Sequence, residues 1–379
     1  TGSDNTGFGI EALYSNTTGI NNTATGNYSL RYNTTGGYNT ATGFRALYMN
    51  SSGGFNTATG YQSLFSNTTG TNNAAYGFSA MYANTTGFSN TAYGYGALAN
   101  NTTGNSNTVS GVDAMFSNTT GFFNAAYGSG ALFFNSSGSS NVATGNNALP
   151  ANTSGFQNTA VGVNSILFNT TGAFHTAVGF NTGPNSTNLF NTTSIGIDAT
   201  CTATDMVRIG NVFVNSIGGQ VGWTTVSDGR FKENVKEDVP GLNFITKLRP
   251  VSYQLNRDKI NDMNGVYERR KQITDSTKNK ADLTVFLTGD KYSDVTTGFI
   301  AQEVEAAAKK TGFNFSGVDK PKNDQDFYGL RYAEFVVPLV KGMQEQQVII
   351  EAQQKNLDDQ QKRIDELEKA VKELSNRIK

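Results

Sequence analysis

The sequence predicts a mostly β protein, in which a parallel β-roll or β-helix shaft of 17-residue repeats precedes a small α+β domain and a C-terminal coiled coil. Three observations predict this class. Glycine recurs every 17 residues along the first half of the chain, charged residues are concentrated in the remainder, and apolar residues near the C-terminus follow a heptad pattern. We expect the shaft at 1–197, its cap at 198–226, the small domain at 227–335 and the coiled coil at 336–379.

Two glycine ladders define the repeat. One runs from Gly9 to Gly196, and the other runs from Gly19 to Gly172, with Asn-Thr-Thr or a close variant before each member. Such a short unit has no room for paired helices and suits two short strands per coil. We expect glycine to supply turns with positive φ, and corner asparagines to bond neighbouring backbone or to stack along the axis.

Two apolar ladders complete the repeat. One of leucine, methionine or isoleucine runs from Leu30 to Ile166, and one of alanine or valine runs from Ala24 to Ala177. A single seam of this kind is a thin core for a lone chain, so we expect a three-fold axis to bury more of it. The ladder resembles the heads of trimeric autotransporter adhesins. Those coils are usually a few residues shorter, and we take the resemblance as architectural.

Charge divides the chain and excludes some functions. Only eight charged residues precede residue 223, whereas the last 157 residues carry 51. The net charge is −1 with no basic stripe, which argues against a nucleic-acid partner.

No apolar run reaches about 18 residues, so no membrane insertion is expected. The chain begins without methionine, which we interpret as a fragment or processed product, and Cys201 alone forms no internal disulfide.

The shaft offers few candidates for chemistry. His175 is the single histidine and stands on an asparagine ladder, so we interpret it as a corner substitution rather than a catalytic or metal-binding residue. Five scattered acidic residues do not supply the paired carboxylates of a glycosidase, so no such activity, cofactor or metal is expected. The Asn-x-Thr matches follow the repeat, which favours a structural role over glycosylation.

Outward-facing side chains of the shaft leave two interpretations open. Aromatic residues could stack on sugars or simply shield the roll; they include Tyr38, Phe55, Phe122, Phe123 and Phe156. An ice-binding threonine array along the Thr-Ala-Thr strands is disfavoured, because aromatic and valine residues interrupt it.

The repeat decays between residues 198 and 222, where short strands are expected to cap the open end of the shaft. The chain then reads Ser-Asp-Gly-Arg-Phe-Lys-Glu-Asn, from Ser227 to Asn234. A serine and a lysine five residues apart occur by chance in most proteins. The neighbouring Asp228, Arg230 and Asn234 make this stretch distinctive.

Three further blocks follow in order at 248–253, 297–304 and 328–332. Together with the stretch after residue 223, they resemble the endosialidase-type intramolecular chaperone found at the end of phage tail spikes and fibres and of many bacterial surface proteins. The resemblance covers residues 223–379. Residues 258–296 depart from the shortest family versions, and we interpret them as a polar surface excursion with one strand at Leu283–Leu287.

The resemblance implies a self-cleaving serine peptidase with a Ser-Lys dyad. Ser227 would attack the carbonyl of the preceding Val226, with Lys232 accepting the hydroxyl proton, so that the chain is cut between Val226 and Ser227. A lysine acts as a base only where burial or positive charge lowers the pKa of its ammonium. Arg230 could supply the charge, and trimer assembly the burial; Asp228 and Asn234 would support the site. Some family members keep the domain uncleaved, so cleavage by this copy stays open.

A heptad pattern runs along the C-terminal segment. Its apolar positions are Val336, Leu339, Met343, Ile350, Leu357, Ile364, Leu367, Val371, Leu374 and Ile378. Glutamines take the intervening d positions, and polar layers of this kind restrict register and strand number. A single solvated helix is the alternative. We favour a parallel bundle, because nothing else in the chain would cover the stripe, and the family implies three chains.

These features lead to the hypothesis of a homotrimeric fibre, whose C-terminal domain drives trimerisation and shaft folding and is then released. The alternative is a bacterial surface adhesin in which the domain stays as an uncleaved trimer cap. A host-surface glycan or protein receptor fits both. The expected location is a virion tail fibre or the bacterial cell surface.

Overall fold

A computed structural model describes residues 2–268, 270–271 and 290–378. They form two compact units, one of Thr1–Ser216 with Asn256–Lys291 and the other of Ile217–Leu255 with Tyr292–Lys379. The first contains a β-solenoid, and the second contains a small mixed domain and a long C-terminal helix. The predicted fold class is confirmed in these elements.

Each coil of the solenoid contributes one short strand to a single parallel sheet of thirteen strands. Successive strands are in register over one repeat, so that Ala24 faces Ala41, and Ala41 faces Ala58. The strands of this sheet are β1 (Thr6–Phe8), β2 (Thr23–Thr25), β3 (Thr40–Thr42), β4 (Thr57–Thr59), β5 (Ala74–Tyr76), β6 (Thr91–Tyr93), β7 (Thr108–Ser110), β8 (Ala125–Tyr127), β9 (Val142–Thr144), β10 (Thr159–Val161), β11 (Thr176–Val178), β13 (Thr192–Ile195) and β15 (Met206–Ile209). Strands β12 (Gly183–Pro184) and β14 (Thr200–Cys201) pair separately.

The prediction of two strands per coil holds only in the last coils, where β12 and β14 are second strands, and it is wrong for the earlier coils. The second half of the earlier coils is a run of turns, in which non-glycine residues such as Tyr28 and Leu30 take left-handed φ values of 63° and 48°. This conformation costs a non-glycine residue about 1–2 kcal/mol. The backbone nevertheless keeps its hydrogen bonds, because Leu30 N donates to Ala46 O of the next coil at 3.0 Å. Stacking on the next coil therefore holds a backbone that the residues alone disfavour.

The apolar ladders form a continuous core inside a single chain. Ala24, Leu30, Ala41 and Leu47 are all 0% exposed, and the same holds in nearly every later coil. The expectation that a three-fold axis would bury more of this seam is therefore wrong. Each coil is covered by the coils above and below it, so the seam has no surface left for a partner chain.

Two buried asparagine ladders line the corners of the coil, as the sequence predicted. In the first, Asn107 Nδ2 donates to Asn90 Oδ1 of the preceding coil at 3.1 Å and to Gly121 O at 2.9 Å. In the second, Asn118 Nδ2 donates to Asn101 Oδ1 at 2.7 Å and also reaches Gly121 O, at 3.2 Å. Both ladders thus converge on the carbonyl of one glycine per coil.

The two glycine ladders have different causes. Glycines of the first ladder have positive φ, for example 131° at Gly94, as predicted. Those of the second ladder do not, so the prediction fails there. A Cβ on Gly104 would lie 2.3 Å from Asn101 Oδ1 and 2.4 Å from Gly121 O. The second ladder is glycine because the converging asparagines and the next coil leave no space for a side chain.

Part of the polar segment predicted as a surface excursion, residues 258–296, packs on the last coils of the shaft. Helix α2 (Arg257–Met263) begins with Arg257, whose Nε donates to Val212 O at 3.1 Å. Further on, Arg270 forms a buried ion pair with Asp198, which also accepts a hydrogen bond from Asn181 Nδ2 at 2.6 Å. This part is therefore more than the surface excursion expected. The strand expected at Leu283–Leu287 lies outside the described residues.

The second unit is built around a cluster of aromatic rings. Its elements are α1 (Leu242–Ile245), β16 (Val251–Tyr253), β17 (Thr296–Gly298), α3 (Ala301–Lys310), β18 (Val318–Asp319), β19 (Gly329–Leu330) and α4 (Val336–Ile378). Strands β16 and β17 pair antiparallel, as do β18 and β19. Phe244, Phe315 and Phe335 are buried at the centre of the unit, with Val304 of α3 against them.

Helix α4 runs for 43 residues and carries the heptad stripe. Near its start, Glu345 Oε2 accepts a hydrogen bond from Leu242 N at 2.7 Å, which ties α4 to α1. Further along, the stripe is open to solvent in the single chain, with Leu357 58% and Leu367 65% exposed. An exposed apolar stripe of this length is the surface that a coiled-coil partner covers. None of the helices in the described part of the chain is long and apolar enough to cross a membrane.

We predict that Asn107→Ala lowers the free energy of unfolding by roughly 2–4 kcal/mol, because it leaves Asn124 N–H and Gly121 C=O short of partners inside the shaft. Urea unfolding followed by circular dichroism measures the change. The matched control is Asn100→Ala in the same region, since Asn100 is exposed, and it should cost under about 0.5 kcal/mol. Equal losses in both variants would contradict a structural role for the buried ladder.

Candidate active site

The stretch from Ser227 to Asn234 is organised by one 3₁₀ turn, Gly229–Phe231. Asp228 caps the turn, because its Oδ1 accepts a hydrogen bond from Arg230 N at 2.9 Å. Lys232 closes it, with its backbone N–H donating to Gly229 O at 3.2 Å. The turn therefore sets the residues that precede and follow it side by side.

Lys232 Nζ lies 2.8 Å from Ser227 Oγ, within hydrogen-bond distance. A hydroxyl and an amine in contact can exchange a proton, provided that the amine is neutral, and the hydroxyl oxygen then becomes a nucleophile. Both residues are exposed in the single chain, and the side chain of Val226 before them is 81% exposed. The pair thus has the contact that nucleophilic chemistry requires but stands in water.

Arg230 is paired with Asp228. Its Nη2 lies 2.6 Å from Asp228 Oδ2, and its Nε donates to the same carboxylate at 3.0 Å. These hydrogen bonds lower the pKa of Asp228 and raise that of Arg230. The charge expected to act on Lys232 is therefore largely compensated by its own neighbour. Asp228 and Arg230 therefore form an ion pair that stabilises the turn.

Asn234 has a backbone role. Its φ is +55°, in the left-handed region that asparagine tolerates better than most residues. The chain changes direction there, two residues after Lys232. An asparagine at this place in the stretch is thus explained without any contact to the serine.

Contacts within the second unit bring the three downstream sequence blocks together. Arg249 of the first block pairs with Glu303 of the second, with Nη2 2.5 Å from Oε1, and this pairing lowers the pKa of Glu303. Tyr332 of the third block accepts a hydrogen bond from Phe299 N at 3.1 Å. A Cβ on Gly298 would lie 2.1 Å from that hydroxyl oxygen, so a side chain there would displace the Tyr332 hydroxyl.

One charged group beside these blocks was not predicted from the sequence. Glu305 contacts Lys309 and Lys320, each at 2.8 Å, and accepts a hydrogen bond from Tyr328 at 3.0 Å. These hydrogen bonds lower the pKa of Glu305 to about 2. The four-residue spacing to Lys309 was readable as a helical pair, whereas Lys320 and Tyr328 are joined to it only by the fold.

His175 lies in the shaft, on the asparagine ladder. Its N–H donates to Asn158 Oδ1 at 3.0 Å, as an asparagine would, and its Nδ1 lies 2.7 Å from Thr192 Oγ1. The side chain is 1% exposed, and burial lowers the pKa of the imidazole to about 4. This placement agrees with a corner substitution.

Many outward rings of the shaft stack on one another. Phe44, Tyr61, Phe78 and Tyr95 follow each other along the axis with ring centroids 4.9–5.4 Å apart. In such a stack the inner rings have both faces occupied, and only their edges meet solvent. A sugar needs an open ring face, so this ladder favours shielding over sugar binding.

The fold and the turn define a class of protein, a β-solenoid shaft followed by a small mixed domain with a Ser-Lys contact at its start. Residues 227–313 match the family model described as chaperone of endosialidase. The match begins at Ser227. A comparison with curated proteins gave no match.

We predict that the shaft loses stability as the pH falls from 6.5 to 4, by up to about 3 kcal/mol. In this window the unfolded chain binds a proton at His175, whereas the folded imidazole, with its pKa near 4, stays neutral. Urea midpoints at a series of pH values measure the effect. His175→Asn restores the ladder residue and should remove this loss; an unchanged pH profile in that variant would refute the assignment.

Proposed function

We propose that this chain is a homotrimeric fibre protein, whose C-terminal domain drives trimerisation and shaft folding and is then released by cleavage between Val226 and Ser227. The observation that carries the proposal is the 2.8 Å contact between Lys232 Nζ and Ser227 Oγ, at the first residues of the family match. The exposed heptad stripe of α4 supports the trimer, which the family also implies.

The proposed reaction is an acyl shift followed by hydrolysis. Lys232 takes the hydroxyl proton as Ser227 Oγ attacks the carbonyl carbon of Val226, and a C–Oγ ester bond forms. The C–N bond to Ser227 breaks, and its nitrogen receives the proton. Water then cleaves the ester, which leaves a carboxylate on Val226, a free amine on Ser227 and the regenerated hydroxyl. Each chain is cut once, so this is a single-turnover reaction without added cofactor.

Assembly is proposed to switch this reaction on. A lysine is neutral near physiological pH only where it is desolvated or beside uncompensated positive charge. In the single chain the pair is exposed, and Arg230 is bound to Asp228. We propose that neighbouring copies cover the turn in the trimer. Cleavage would then follow correct assembly and would not occur in the free monomer.

The alternative is a bacterial surface adhesin that keeps its C-terminal domain as an uncleaved trimer cap. The exposed position of the Ser-Lys pair favours it, because a solvated lysine is a poor base. In both cases we expect the shaft to lie outside the cell, on a virion tail fibre or a cell surface, and to contact a glycan or protein receptor.

Mass spectrometry of the freshly expressed chain separates the two functions. We predict a fragment beginning at Ser227 in the wild type, and a reduction of its yield by at least about 100-fold in Ser227→Ala and Lys232→Met. Lys236→Met is the matched control, since Lys236 is an exposed lysine of the same segment, and it should cleave normally. Intact chain in every sample, with a trimeric mass in solution, would support the uncleaved cap instead.

A further inference from the structure

One outward column of the shaft changes character along the chain. The column is formed by the last residue of each strand. After Phe8 on β1 it is polar on β2, β3 and β4, where Thr25, Thr42 and Thr59 are in register, and Tyr76 and Tyr93 follow on β5 and β6. In the last coils the same column becomes aliphatic.

We define the C-terminal column as Val161, Val178, Ile195 and Ile209, one residue from each of β10, β11, β13 and β15. Neighbours are paired directly in the parallel register. The four side chains are 37–41% exposed, so a continuous β-branched apolar row faces solvent in the single chain. The nearest upstream member, Thr144, ends the row.

We propose that the C-terminal column lies at the three-fold axis of the trimer and packs against the same column of two further copies of this chain. This inference rests on the trimer of the proposed function. It identifies which face of the shaft the copies share.

The burial of the inner ladders leads to this choice. Ala160 and Ala177, the inward neighbours of the column, are already 0% exposed. Copies can therefore gain apolar burial along the shaft only from outward side chains. The column supplies such side chains, and it lies in the coils closest in sequence to α4, whose stripe requires parallel partners.

Charge also selects an identical copy as the occupant. Identical faces meet around a symmetry axis, so any charged side chain on them would face the same charge on the other copies. The column carries none. The nearby Arg208 aligns with the buried Ser194 and so points from the other side of its strand. An uncharged apolar row is a surface that three copies can share without repulsion.

Cysteine cross-linking in the full-length chain tests the inference. Val178→Cys changes the side-chain volume little. Oxidation should link it between copies, because a disulfide forms only where Cα atoms come within about 7 Å. At most about two thirds of the chains can be linked, since one cysteine per copy joins two of three copies. Non-reducing gels read the yield, and wild type reports on Cys201, which is buried.

The matched control is Ser154→Cys, an exposed turn position in the same region as Val161; we expect its yield to be at least about fivefold lower. Light scattering gives the mass of each variant before oxidation. A trimer in which Val178→Cys does not link, or links no better than Ser154→Cys, overturns this inference and leaves the proposed trimer standing. A monomeric mass overturns both.

Discussion

The shaft depends on one constraint, the convergence of two asparagine ladders on a single glycine carbonyl in each coil. Asn107 and Asn118 both donate to Gly121 O, and the pattern recurs along the chain. The carbonyl is buried, so it must be paired. The requirement to pair this carbonyl explains the two asparagine ladders, and the crowding around it explains why the residue is glycine. The left-handed turns are tolerated because the stacked coils supply their hydrogen bonds.

Repetition has a consequence for assembly. Coil contacts join residues only 17 apart, so each contact within one chain closes only a short loop. In the proposed trimer, alignment between chains is harder. A slip of one whole coil places asparagine against asparagine and leucine against leucine, so the shaft discriminates weakly between registers. A non-repeating domain at one end removes this ambiguity, which gives a physical reason for joining a chaperone domain to a repetitive shaft.

Sequence reasoning succeeded where the repeat multiplied a weak signal. The solenoid, its buried ladders and the position of His175 all follow from the period, and the long helix follows from the heptads. It failed where the structure depends on the backbone conformation of a single residue or on a contact between residues far apart in the sequence. Leucine has no preference for the left-handed region, so the turn at Leu30 comes only from stacking. Likewise, the spacing of the repeat did not indicate that neighbouring coils of a single chain would bury the apolar ladders completely.

The candidate site was predictable in its residues but not in their pairing. The short spacing between Ser227 and Lys232 allows contact and does not require it, and the 3₁₀ turn brings them together. Arg230 was expected to act on Lys232 through its charge, whereas the structure pairs it with the carboxylate of Asp228. The contacts of Glu305 to Lys320 and Tyr328 join segments 15 or more residues apart, which a single sequence does not reveal.

The ion pair between Asp198 and Arg270 spans the proposed cut in the sequence, since one residue precedes Val226 and the other follows it. In the intact chain the two charges are tethered, and their local concentration is independent of dilution. Once the chain is cut, the same contact becomes one between two molecules and obeys mass action. The released shaft would then present a carboxylate that had been buried. A finished fibre would differ from its precursor by an acidic tip that appears only when the departing segment diffuses away.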